Sequence, residues 1–175
     1  MTLEERVQRL EDIEAIRYLM GKYFCALDTH DWNTIAQCFD IDVHTEYCDG
    51  YMVYDGREDA AGFLSSCMLP EQISMHLGHC YQIDIVDPTH ARARIYLEDH
   101  LINFLGNTNQ HGTAIYDNEY IKREDDHWYI SKIGYTRIYE EQWARNDYNS
   151  GHVGNVRYLE DSGYDVNAMQ EKAKA

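Results

Sequence analysis

Between Glu71 and Ile85 the chain reads EQISMHLGHCYQIDI, which sets His76 and His79 among small and apolar residues. An imidazole titrates near neutral pH, so it can ligate a metal, accept a proton or sit satisfied in a core. Side chains of a strand alternate between its faces, so a spacing of three sends these two histidines to opposite sides. A regular strand cannot offer both to one ion, and no H-E-x-x-H motif is present, so no metal site is expected. Strict alternation puts His76 with Gly78 and Cys80, small neighbours that leave room for a ligand. It puts His79 with Tyr81, Ile83 and Ile85.

Four other polar residues fall where apolar ones belong. From Ala91 to Leu105 one face reads Ala91, Ala93, Ile95, Leu97, Asp99, Leu101, Asn103 and Leu105, interrupted by Asp99 and Asn103. A buried carboxylate needs a partner or must be protonated, so Asp99 fits either a structural ion pair or an acid. Near the end of the chain Tyr129, Ile133, Tyr135, Arg137 and Tyr139 share alternation. Arg137 there either stacks on the rings or presents a fixed charge to a pocket. Tyr23 lies on a helical apolar stripe between Leu19 and Leu27. Asp28 lies one residue past Leu27, about 100° round, so it faces solvent unless the helix end turns it inward. Histidine, carboxylate, phenol and guanidinium together suit proton abstraction with stabilisation of a negative oxygen. No G-x-G-x-x-G, P-loop or G-x-S-x-G occurs, and none of the five cysteines carries a nucleophile signature.

The elements that hold these residues are readable in outline. Thr2-Leu3-Glu4-Glu5 is a capping box, and Leu3, Val7, Leu10, Ile13, Ile16, Leu19, Tyr23 and Leu27 recur at helical spacing to about Asp28. Asp31 caps a second short helix. The period then changes to two, with a hairpin at Asp49-Gly50 and a short helix over Arg57–Ser66. Four strands follow, about Ser74–Val86, Ala91–Leu105, Gly112–Arg123 and His127–Glu140. Their short links predict an antiparallel meander. Helices first and a curved sheet afterwards is an α+β pattern, with a pocket between helix and sheet. Residues 1–143 read as one domain and 144–175 as a polar tail.

The 175 residues carry 15 tyrosines and a net charge of −16. So acidic a surface repels polyanions, so neither nucleic acid nor an anionic membrane is an expected partner. The odd number of cysteines, without C-x-x-C, points to a reducing compartment. The charged, periodic N-terminus reads as no signal peptide, and no apolar run approaches the roughly 20 residues that span a bilayer. A cytoplasmic protein is the expectation.

The segments MTLEERV, DIEAI, GKYF with the LD after it, ISMHLGH, YLEDHLI and WYISKIGYTRIYEE resemble the bile-acid 7α-dehydratases. These belong to the SnoaL-like branch of the nuclear-transport-factor-2-like (NTF2-like) superfamily. The resemblance runs to about Glu141 and is weak between Asn33 and Leu69. A broader similarity, through Asp28 and His76 alone, reaches dehydrochlorinases and scytalone dehydratase. The resemblance implies a cone-shaped α+β barrel, helices packed on a strongly curved antiparallel sheet, and a homotrimer without cofactor. It implies loss of the 7α-hydroxyl as water from a 3-oxo-Δ4 bile acid or its coenzyme A thioester. Tyr23, Asp28, His76, Asp99 and Arg137 fall on the family's catalytic positions. His76 would be the base, Asp28 its orienter and Tyr23 a donor. Asp99, kept protonated, would serve the leaving hydroxyl, and Arg137 would supply positive charge. A dehydratase or isomerase for another steroid or polyketide, or a non-catalytic binding module, are the competing expectations.

Overall fold

Thr2 accepts from the Glu5 N–H at 3.2 Å while Glu5 accepts from the Thr2 N–H at 2.8 Å. This closes the capping box at the start of the first helix. The computed structural model describes residues 1–146 together with Ala168 and Glu171, so most of the expected tail lies outside the described residues. Helix α1 spans Leu3–Asp28. Leu3, Val7 and Leu10, expected on its core stripe, are exposed, whereas Ile16, Leu19, Met20, Tyr23, Phe24 and Leu27 are buried. Arg9 already reaches the carbonyl of Ile85 near the far end of a strand. The turns before it therefore project past the sheet. Asp12, which the sequence pattern did not single out, is buried and anchors α1. It accepts from Trp128 Nε1 at 2.9 Å and meets Lys122 Nζ at 3.1 Å.

Asp31 accepts from the Thr34 N–H and starts α2, Trp32–Cys38. Then come β1 (Phe39–Tyr47), β2 (Met52–Asp55), α3 (Arg57–Cys67), β3 (Gln72–Asp87), β4 (His90–Asn103), β5 (Thr108–Lys122) and β6 (Trp128–Ala144). The strands form one curved, open sheet in the order β2-β1-β6-β5-β4-β3. The expected meander accounts for β3 to β6, all antiparallel. One pairing departs from the expectation, because β1 lies parallel to β6. The core lies between α1 and the concave sheet face, where Tyr23, Phe24, Ile95, Leu97, Tyr116, Tyr120 and Ile130 are buried.

Three of the expected strand faces are corrected, two of them by bulges. In β3 the register passes from His79↔Tyr96 to Gln82↔Arg94, and Cys80 has φ 51°. The extra residue flips the alternation, so Tyr81, Ile83 and Ile85 fall on the face of His76 rather than that of His79. In β6 the pairings Tyr120↔Ile130 and Glu119↔Lys132 leave Ser131 extra, and Ala114↔Arg137 and Thr113↔Tyr139 leave Ile138 extra. Tyr129 and Tyr139 are thereby turned to the outer face, while Ile133, Tyr135 and Arg137 stay inward. At the end of β4, Leu105 is exposed and Phe104 is buried instead. Asn103 closes the following turn by accepting from the Gly106 N–H at 2.7 Å.

Candidate active site

Asp28 is the last residue of α1. Thr29 ends the helix by returning both its N–H and its hydroxyl to the Cys25 carbonyl. That stop lets the Asp28 carboxylate reach β3. Oδ1 lies 2.6 Å from His76 Nδ1 and accepts from Ser74 Oγ at 2.7 Å; Oδ2 accepts from the His76 backbone N–H at 2.9 Å. A carboxylate only accepts, so Nδ1 carries a proton, and in the neutral ring the lone pair is then on Nε2. Among the described residues Nε2 has no hydrogen-bond partner. The His76 side chain is 8% exposed, and its ring lies parallel to Phe24, 6.4 Å between centroids. Gly78 makes room for this stack. A Cβ there would stand 2.7 Å from Phe24 and 2.4 Å from the Tyr81 hydroxyl.

Asp99 is the direct cross-strand partner of His76 and is buried. Both its oxygens are taken by Arg137, Nη1 to Oδ1 at 2.9 Å and Nη2 to Oδ2 at 2.7 Å. This two-point pairing is that of a carboxylate with a guanidinium. Of the two expectations for Asp99, an ion pair or an acid, the contacts are those of the ion pair, with both oxygens accepting from Arg137. Burial works against the Arg137 charge, but the hydrogen bond and charge of Asp99, with Tyr135 and Glu140, outweigh it and raise its pKa. Gly112 supplies the space for the pair, since a Cβ there would lie 2.6 Å from Arg137 Nη1 and 2.8 Å from Asp99 Oδ1.

Tyr23 is fully buried, and its hydroxyl is 3.2 Å from that of Tyr47. Burial, then the neighbouring Tyr47, holds the Tyr23 phenol far above its usual pKa, so it stays an O–H. Burial does the same to Tyr47 and Tyr116. Two hydroxyls share one hydrogen bond, so one of their protons is left to donate. Tyr47 tilts against Tyr135 at 5.9 Å, and Arg137 lies 4.9 Å above the Tyr135 ring. Four of the five expected residues thus lie on one circuit of direct neighbours. Tyr23 adjoins Phe24, Phe24 stacks on His76, and His76 pairs with Asp99. Asp99 holds Arg137, which covers Tyr135, and Tyr47 closes the circuit back to Tyr23. Asp28 joins it through His76. His79 points to the other face, 3.5 Å from Glu98. The buried Cys38 thiol is pushed up by desolvation to about 11, which removes it as a thiolate nucleophile at neutral pH.

Residues 8–133 match the family model described as a SnoaL-like domain. The chain belongs to the SnoaL-like family. Its fold is similar to a type 2 hexachlorocyclohexane dehydrochlorinase, with TM-score 0.74 and 21% identity over 86% of this chain and 98% of that one. A type 3 form from Novosphingobium barchaimii gives TM-score 0.74 and 20% identity over 86% and 99%. A protein of Novosphingobium aromaticivorans assigned as a scytalone dehydratase gives 0.73 and 17% over 86% and 99%. At these identities the likeness shows a common fold.

In this SnoaL-like chain the sequence reading missed Ser74, Tyr47 and Gly112, and the room it assigned to a ligand at Gly78 is taken by Phe24 and Tyr81. Ser74 was within reach, standing two residues before His76 on the same strand face. Tyr47 lies in the poorly resembling Asn33–Leu69 stretch. What lies over either glycine depends on the strand register and on the facing helix. Among the described residues no helix is long and apolar enough to cross a membrane.

Proposed function

We propose that this SnoaL-like protein is a dehydratase that removes the 7α-hydroxyl of a 3-oxo-Δ4 bile acid, or of its coenzyme A thioester, as water. The observation that carries the reading is the Asp28–His76 pair, in which the carboxylate fixes the tautomer and leaves Nε2 basic. The names of the structurally similar proteins, dehydrochlorinase and dehydratase, both describe loss of a proton and a leaving group from neighbouring carbons. The bile-acid substrate rests on the sequence resemblance.

The substrate's C6 proton is acidic because its carbanion conjugates through C4=C5 to the 3-oxo group. His76 Nε2 takes that proton, and the Asp28 carboxylate stabilises the imidazolium. Charge gathers on the 3-oxo oxygen, where the spare O–H of the Tyr23–Tyr47 pair donates. The dienolate then expels the C7 hydroxyl, and the imidazolium returns its proton to it. The C6–H and C7–O bonds break, C6=C7 forms, and one water leaves. Elimination is redox-neutral, so no step calls for an electron carrier. Arg137 gives its positive charge to Asp99, the acidic partner on the same face. The same reading takes a homotrimer in the cytoplasm, with residues 1–143 as the catalytic domain.

The test is incubation with a 3-oxo-Δ4-7α-hydroxy bile acid, as free acid and as thioester, beside other hydroxysteroids. Growth of the extended dienone absorbance from the bile acids supports the reading. Turnover of another hydroxysteroid alone moves the substrate, and no elimination from any of them removes the reaction.

A further inference from the structure

Glu98 and His100 flank Asp99 on β4 and therefore point to the opposite, outer face of the sheet. There His100 stands directly across from His111 of β5, and their rings stack 4.3 Å apart at 13°. Glu98 Oε1 is 3.1 Å from His100 Nε2 and 3.4 Å from His111 Nε2. All three donor atoms lie within 4.8 Å of one another. His111 Nε2 is buried from solvent without a well-formed hydrogen bond. From the other side His79 Nε2 lies 3.5 Å from Glu98 Oε2.

We propose that Glu98, His100 and His111 form a binding site for a divalent transition metal, zinc first among them, with His79 orienting the carboxylate. Ligands bound tetrahedrally at about 2.0–2.1 Å stand about 3.3 Å apart, which matches both distances to Oε1. Two imidazoles and a carboxylate suit zinc, and leave a position for water. A bound ion would take up the His111 nitrogen that the hydrogen-bond network leaves unused. The net charge of −16 favours cation capture. His79 on the second oxygen holds the carboxylate in place, as partners outside the ligand set do in metal sites. The ion would tie β4 to β5 beside Asp99, and so brace the strand whose carboxylate grips Arg137 of β6.

The test uses the full chain, stripped with EDTA, dialysed and titrated calorimetrically with zinc chloride. One ion per chain with micromolar or tighter affinity is expected, and zinc raises the melting temperature. His111→Gln and Glu98→Gln each weaken binding by at least about tenfold. His90→Gln, a histidine outside the cluster, leaves it unchanged. Circular dichroism checks the fold of each variant, and His100→Asn stands in if His111→Gln unfolds. The five free cysteines are the competing ligands, so the cobalt-loaded protein is examined for a thiolate charge-transfer band. No binding, binding indifferent to Glu98, His100 and His111, or that thiolate band overturns the proposal.

Discussion

Asp28 Oδ1 lies 2.6 Å from His76 Nδ1 and 2.7 Å from Ser74 Oγ, so a single oxygen at the end of α1 fixes two side chains of β3. Replacing Asp28 by Asn puts an amide there and removes the demand that Nδ1 carry the proton. Asp28→Asn is expected to lower kcat by about 10²–10⁴, the range of a general acid–base contribution. Ser74→Ala removes one hydrogen bond to a carboxylate, of about 1.5–3 kcal/mol, but leaves both His76 contacts to Asp28, so it should slow turnover less than Asp28→Asn does. Initial rates of diene formation, with far-ultraviolet circular dichroism as the fold check, separate the two variants. Equal losses would mean that Asp28 acts only as an anchor for the strand.

Arg137 and Asp99 form a buried pair whose partners depend on each other. Arg137→Ala leaves a carboxylate alone beneath the helix and should cost about 3–5 kcal/mol. The double variant Asp99→Leu/Arg137→Met should regain most of that loss, since replacing a buried pair with apolar residues is often neutral. Urea unfolding of both variants gives the comparison. A double variant no more stable than Arg137→Ala would show that the pair is not the source of the loss.

Gly112→Ala places a Cβ 2.6 Å from Arg137 Nη1 and 2.8 Å from Asp99 Oδ1. Arg137 is flexible in isolation but is pinned here, so the pair must separate, at about 1–3 kcal/mol for overpacking. Gly21→Ala is the contrasting case. It lies within α1 with open space at its Cβ and should stabilise by about 0.5–1 kcal/mol. Thermal melts of the two variants should move in opposite directions.

These cases mark how far the sequence could be read. The start of α1, the cap of α2 and the meander were legible because each depends on neighbours a few residues away. The positions of His76 and Asp99 on the inner face were legible because no bulge lies between Gln72 and His79 or along β4. Tyr129 and Tyr139 were misplaced because Ser131 and Ile138 each add one residue to β6, and a single insertion inverts every later side chain. The partner of Asp99 was not legible because nothing in its own strand announces Arg137 two strands away. The outer-face cluster escaped notice because His100 and His111 meet only through the β4–β5 register.

Asp40 supplies a pH-dependent contribution away from the site. Burial pushes its carboxyl up, but two hydrogen bonds from Arg123, at 2.8 and 2.6 Å, help hold it below its ordinary value of 3.8. A depressed folded pKa stabilises fully above the unfolded value and is lost as pH falls through the folded one. Asp40→Asn should therefore be less stable than the parent at pH 7, with the gap narrowing below about pH 4. Urea midpoints at pH 7 and pH 3 read this directly. A gap that stays constant would assign the loss to packing.

The central claim is that His76 Nε2 moves the proton. Its most direct measure is the rate of dienone formation by His76→Gln against the parent, with both shown to be folded. A fall of at least about 10² is predicted, the lower bound of a general base's contribution. A folded His76→Gln protein that forms the diene at the parent rate would contradict the account.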